Sequence, residues 1–174
     1  MMMLLTGGSA CGKSSYAEAL CLRFSMPRYY IAAMRPYGEG SEEKIARHRT
    51  MRADKGFVTV ERYTGLSGLL LPHRGIALLE CICNLTANEM FDEQGNIKDP
   101  FDAVISGVAT LYRQCRHLIV VTNDVGSDSK GYDPGTRAYI RALGRINATL
   151  AGQADHVYEL VCGIPIPLKG ELLP

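Results

Sequence analysis

The residues Gly7, Gly8, Ser9, Ala10, Cys11, Gly12, Lys13 and Ser14 form the run "GGSACGKS", in which Gly7 and Gly12 frame four residues and Lys13-Ser14 follow at once. Those types at that spacing suit one chemistry. Glycines let a backbone wrap an anion so that its N–H groups point inward. A helix starting near Lys13 would aim the positive end of its dipole at the same anion. Lys13 would reach the β- and γ-phosphates of a nucleoside triphosphate, and the Ser14 hydroxyl would join the shell of a Mg²⁺ ion. The pattern is that of a Walker A phosphate loop. The apolar "MMMLLT" before it and the helical pattern after it provide the expected strand–loop–helix setting. A loop of this kind needs an acidic partner at a neighbouring strand end. "IALLEC" supplies Glu80, read as a group for Mg²⁺ or substrate.

A second unusual stretch is "EEKIARHRTMR". On a helix, Lys44, His48, Met51 and Arg52 share a face by their spacing of three and four. Arg47 and Arg49 flank His48 in sequence. Such cations favour the neutral, nucleophilic imidazole, and they could also hold phosphate oxygens. A neutral imidazole beside a bound triphosphate could attack phosphorus and form a phosphoramidate. Taken alone, the same residues also describe a solvated basic helix. His73, His117 and His156 fall in turns or at strand starts and carry no assigned chemistry.

The elements that would position these groups follow from apolar runs bounded by turn signals. Strands are expected at Met2–Thr6, Tyr29–Ala33, Ile76–Cys81, Leu118–Asn123 and Val157–Cys162. Their near-continuous apolar character suits strands covered on both faces, as in a parallel sheet. Helices are expected at Ser14–Phe24, Ser41–Asp54, Asp102–Arg116 and Arg137–Leu150. Val104, Ile105, Val108, Leu111 and Tyr112 form the apolar stripe of the third, and Ile140, Leu143, Ile146 and Leu150 that of the fourth. Strands alternating with helices predict a single α/β domain over 1–174, doubly wound around a mostly parallel sheet of the P-loop NTPase, RecA-like type. The loops Met34–Gly40 and Asn123–Gly135 follow strands and should lie on the ligand-binding edge. Asp92–Pro100 reads as a surface connection.

Composition sets further bounds. The chain has 174 residues, 47% of them hydrophobic and 21% charged, a globular profile. Lys plus Arg is 19 and Asp plus Glu is 18, so the net charge is 19 − 18 = +1. That balance leaves no footprint for nucleic acid or an anionic membrane. No segment reaches the roughly 20 apolar residues of a membrane span, and "MMMLL" is too short for a signal sequence. A cytoplasmic protein is expected. The cysteines at 11, 21, 81, 83, 115 and 162 are expected to be reduced. Cys81 and Cys83, two apart, would point the same way in a strand, with no partner cluster for zinc.

Together these stretches resemble the bifunctional adenosylcobinamide kinase / adenosylcobinamide-phosphate guanylyltransferase family of cobalamin biosynthesis. The resemblance runs nearly end to end, through "LLTGGSACGKSSYAEAL", "YYIAAM", "EEKIARHRTMR", "VTVE", "LLEC", "TNDVG" and "LGRINATLAGQADHVYELVCGIPIPLK". It implies two reactions: phosphorylation of the aminopropanol hydroxyl of adenosylcobinamide by ATP or GTP, and GMP transfer from GTP through His48 to the phosphate so made. It further implies that the loop residues, with Ala33, Met34, Glu61 and Glu80, contact nucleotide or metal, that Arg49 and Arg52 sit near the guanylyl group, and that the protein is a homo-oligomer, commonly a trimer. The chain departs from the family pattern at Ala10, where the family carries Arg, in "TMRADKGF" after the histidine, and in "SDSKGYDP" after Gly126. A single-activity P-loop kinase and a nucleotide-binding regulatory module are the alternative readings.

Overall fold

The computed structural model describes residues 1–36, 46, 50, 54–92, 94–125 and 131–173. Among them seven strands form one sheet: β1 Met2–Thr6, β2 Arg28–Ala32, β3 Phe57–Glu61, β4 Ile76–Glu80, β5 His117–Val121, β6 His156–Val161 and β7 Ile164–Lys169. Their order is β3-β2-β4-β5-β1-β6-β7. All neighbours run parallel except β6 and β7. Among the described residues the continuous helices are α1 Lys13–Leu22, α2 Ile82–Met90, α3 Phe101–Gln114 and α4 Pro134–Gln153, with a short 3₁₀ turn at Leu66–Gly68.

The order explains the layers. The connection from β1 to β2 steps one way along the sheet and carries α1. The connections from β4 to β5 and from β5 to β6 step the other way and carry α2, α3 and α4. Right-handed crossovers then place α1 on one face and the other three on the opposite face. Accordingly, α2, α3 and α4 pack on one another, whereas α1 packs on β1, β4 and β5. The central strands are covered on both faces, and Met3, Leu5, Ile31, Leu78, Leu79 and Ile119 are buried. On this scale each such side chain contributes about 1.5–3 kcal/mol of burial. The helical stripe read for α3 is inward, with Val104, Val108 and Leu111 buried, as are Leu143, Ile146 and Leu150 of α4.

The five expected strands are present; β2 and β6 are displaced by one residue toward the N-terminus, and β5 starts one residue and ends two residues earlier than expected. The strand expected to reach Cys81 ends at Glu80, and Cys81 instead caps α2. Helix α4 starts three residues earlier than expected. Asp133 caps it by accepting a hydrogen bond from Thr136 N at 3.0 Å, and Pro134 occupies the first turn. Of the helix expected over Ser41–Asp54, Ala46 and Thr50 are helical and Asp54 is in a turn; the rest of that span lies outside the described residues. Among the described residues, no helix is long and apolar enough to cross a membrane.

β1 is central, and the chain leaves it toward β2 on one side while β6 joins it on the other. That reversal is the topological switch point, where ligands bind in open α/β sheets. The run Gly7–Gly12 begins there.

Candidate active site

The phosphate loop is shaped by its own backbone and by a hairpin behind it. Gly7 has φ 135°, and a Cβ there would stand 2.5 Å from Leu160 O of β6. Gly12, at the start of α1, has φ 99°, and its Cβ would meet Gly163 Cα at 3.1 Å. The turn between β6 and β7 is thus the wall behind the loop, and Gly163 N donates to Cys11 O at 2.8 Å. On the other side Asp124 N donates to Gly7 O at 3.2 Å, so the β5 exit also abuts the loop. Gly8, Ser9 and Ala10 are exposed at the loop's crest and Cys11 is half-buried. Ala10 carries a positive φ of 57° without being glycine.

Lys13 is buried, and its ammonium donates to Gly7 O at 3.0 Å and Gly8 O at 2.5 Å. The cation therefore lies over the loop, inside the ring of backbone it is meant to serve. No side chain caps the N-terminus of α1, so its first N–H groups remain for an anion. Ser14 Oγ donates to Glu80 Oε1 at 2.5 Å. These two oxygens come from α1 and from the end of β4, 66 residues apart in the chain. A hydroxyl and a carboxylate side by side form a hard oxygen donor set of the kind Mg²⁺ takes.

A second group of residues gathers at the ends of β2, β3 and β4. Ala32 pairs in register with Glu61 on one side and Glu80 on the other. Parallel strands in register put the two carboxylates on one face of the sheet, two strand spacings or roughly 10 Å apart. Tyr63 OH donates to Glu61 Oε2 at 2.8 Å. Ala33 is buried and its N–H donates to Glu80 O at 2.9 Å; Met34 is half-buried beside it. Asn88 of α2 clamps both exits, its Nδ2 donating to Ala33 O at 2.8 Å and Tyr63 O at 3.0 Å. Beyond the clamp a polar cavity of about 400 Å³ is lined by Arg35, Thr64, Asn88, Glu89 and Lys98 among others. Glu89 Oε1 accepts from Gly65 N at 2.6 Å.

A family model described as cobinamide kinase / cobinamide phosphate guanyltransferase matches residues 3–168. The chain belongs to that family. It is 32% identical, over 97% of its length and all of the relative's, to the bifunctional adenosylcobalamin biosynthesis protein CobU of Escherichia coli (strain K12). The corresponding protein of Salmonella typhimurium is 31% identical over the same shares. The bifunctional adenosylcobalamin biosynthesis protein CobP of Pseudomonas aeruginosa is 26% identical over 99% of this chain and all of that one. Among solved structures, one from Pyrococcus horikoshii OT3 superposes with a TM-score of 0.52 at 11% identity, covering 97% of this chain and 86% of that one; that likeness concerns the fold alone.

In this member of the cobinamide kinase family the structure thus brings Gly7 through Ser14 and Glu80 together, with Ala33, Met34 and Glu61 at the adjoining strand ends. His48, Arg49 and Arg52 lie outside the described residues. Asn88, Tyr63 and Arg35 were not legible as site residues. Each is a lone polar group within an ordinary run, and only the pairing of three strands brings them together. Cys81 and Cys83 are not strand neighbours as expected, because Cys81 caps α2 and Cys83 lies within it. Their thiols nonetheless meet. Cys83 becomes the more acidic, through the Cys81 hydrogen bond and those from Thr122 and Asn123, and Cys81 is pushed well up by the same contact and by burial. Cys83 Sγ accepts from Asn123 N at 3.2 Å, and Thr122 Oγ1 donates to Asn147 Oδ1 at 2.8 Å. This network ties the β5 exit to α2 through Cys83 and to α4 through Asn147.

Proposed function

We propose that this chain catalyses both reactions of its family's name. It phosphorylates the terminal hydroxyl of adenosylcobinamide with ATP or GTP, then transfers GMP from GTP to that phosphate, giving adenosylcobinamide-GDP. The observation that carries the reading is the convergence of Lys13, Ser14 and Glu80 on the end of a central strand, within a family match that spans nearly the whole chain.

The loop's N–H groups and the α1 N-terminus bind the triphosphate and fix its orientation. Lys13 exchanges its carbonyl partners for phosphate oxygens and offsets the charge that develops as a phosphoryl bond breaks. Ser14 and Glu80 would hold Mg²⁺, which supplies charge neutralisation at the phosphates. In the transfer, an imidazole nitrogen of His48 attacks the α-phosphorus. The P–O bond to the β-phosphate breaks, pyrophosphate departs, and GMP remains on the histidine through a P–N bond. An oxygen of the corrinoid phosphate then attacks the same phosphorus, the P–N bond breaks, and neutral imidazole is restored. Splitting the transfer in two lets one site serve two bulky substrates in turn. Arg49 and Arg52 would balance the guanylyl charge, and Ala33, Met34 and Glu61 would contact the nucleotide. A cytoplasmic homo-oligomer fits this reading.

The test is product analysis. Protein incubated with adenosylcobinamide, GTP and Mg²⁺ should yield the corrinoid phosphate and then the GDP-linked corrinoid. Accumulation of the phosphate alone would leave a kinase, and no corrinoid product would overturn both halves.

A further inference from the structure

Glu18 lies on α1 one turn beyond Ser14, on the same side of the helix. It is fully buried, among Ala17, Leu20 and Cys21. A carboxylate out of water persists only where a cation or hydrogen-bond donors offset its lost hydration. Its Oε2 takes an ion pair and a hydrogen bond from Lys55 Nζ at 2.5 Å. Its Oε1 is buried with no hydrogen-bond partner among the described residues. The core needs no charge at this position, since an apolar side chain of that size would fill the same space. The chemistry above does not use the pair either.

What the pair joins gives it a purpose. α1 is the helix that the phosphate loop opens. Lys55 sits in the turn that leads into β3, and it follows His48 by seven residues. One face of α1 therefore makes two ties: Ser14 bonds Glu80 at the end of β4, and Glu18 bonds Lys55 just before β3. Lys55 spans to Glu18 with a side chain still 31% exposed, so its charge is drawn inward from the surface.

We infer that the Glu18–Lys55 ion pair is a positioning device for the guanylyl transfer, fixing the chain at Lys55, seven residues after His48, to the phosphate-loop helix while taking no part in triphosphate binding. The inference rests on the reading of His48 as the guanylyl carrier. A misplacement of about 1 Å in a reacting group can cost roughly a hundredfold in rate, so a single buried tie seven residues along the chain from the nucleophile is enough to matter.

The experiment follows the GMP adduct on the full chain by intact mass in a single turnover with saturating GTP and Mg²⁺, alongside GTP affinity and thermal midpoint. Lys55→Met should slow adduct formation about ten- to a hundredfold and leave GTP affinity within about twofold, since uniform binding is untouched. Lys55→Arg should restore most of the rate. The double variant Glu18→Gln/Lys55→Met removes the unpaired buried charge, so it should regain the lost thermal midpoint and not the lost rate; it also keeps the test alive if Lys55→Met folds poorly. An unchanged rate in Lys55→Met, or a double variant that regains stability and rate together, would overturn the positioning role alone. A wild type that forms no adduct would remove the reading of His48 and this inference with it.

Discussion

The end of β1 and the ends of β2, β3 and β4 lie on the same edge of the sheet and are built in opposite ways. At β1 the site is made of backbone. Eight consecutive residues form it, the three at its crest are exposed, and Lys13 and Ser14 are the side chains that make its contacts. At the other ends the site is made of side chains. Glu61, Tyr63, Glu80 and Asn88 gather there from β3 and its exit, from β4 and from α2, and the backbone is only their support. A backbone cradle binds what all triphosphates share. A side-chain cluster distinguishes one substrate from another, and its residues can change one at a time.

This contrast can be broken by substitution, and the largest effects should come from the cradle. Lys13→Ala should reduce both reactions by roughly 10²–10³-fold in kcat, the loss expected when a preorganised partner of developing charge is removed; a change under tenfold in steady-state assays would contradict the role. Gly7→Ala should disrupt the loop, because its Cβ would press on Leu160 O at 2.5 Å, whereas Gly8→Ala meets nothing within 4 Å. Thermal melts should show Gly8→Ala within about 0.5 kcal/mol of wild type and Gly7→Ala well below it. Equal effects at the two glycines would mean that the β6 wall does not shape the loop.

Smaller effects should come from the side-chain end. Glu80→Gln keeps the shape and removes the charge beside Ser14, so Mg²⁺ dependence should shift by roughly 10–100-fold in apparent metal affinity, read by titrating Mg²⁺ at fixed nucleotide. Asn88→Ala leaves two carbonyls without their donor and should destabilise by about 1–3 kcal/mol in denaturant melts, with triphosphate affinity retained.

The smallest effect sharpens the comparison from the far edge of the sheet. His117 opens β5 there, stacked on Phe24 at 4.3 Å, and its Nδ1 is buried without a hydrogen-bond partner among the described residues. Burial, then the N-terminal ammonium and Arg116, hold its imidazole below the ordinary range. The unfolded chain then binds the proton first, so stability is full above pH about 6.5 and declines as the pH falls through the lower folded value. His117→Gln should flatten that decline in melts taken across the window and leave nucleotide binding alone.

The same contrast explains what was legible. β1 and the phosphate loop are contiguous, so spacing alone disclosed them. Glu80 could be placed because it ends an apolar run. β3 escaped because "FVTVE" is the half-exposed edge strand of the sheet, and its burial does not follow a simple apolar run. β7 escaped because Pro165 and Pro167 argue against a strand. The structure tolerates them because β7 is the outer edge and pairs only with β6. α2 is short and follows an apolar strand without a break, where periodicity cannot separate strand from helix. Asn88 and Glu18 were hidden for a different reason. Their partners, at Ala33, Tyr63 and Lys55, are far away in sequence, and nothing local marks a buried polar residue that is satisfied only by folding.

The central claim is that a triphosphate held by the β1 cradle is attacked at its α-phosphorus by His48. It is tested most directly by the intact mass of wild type and His48→Ala after incubation with GTP and Mg²⁺ in the absence of any acceptor. A gain of one GMP, labile to acid, on wild type and not on His48→Ala is the result expected. No gain on folded wild type that binds GTP, or an equal gain on both proteins, would contradict it.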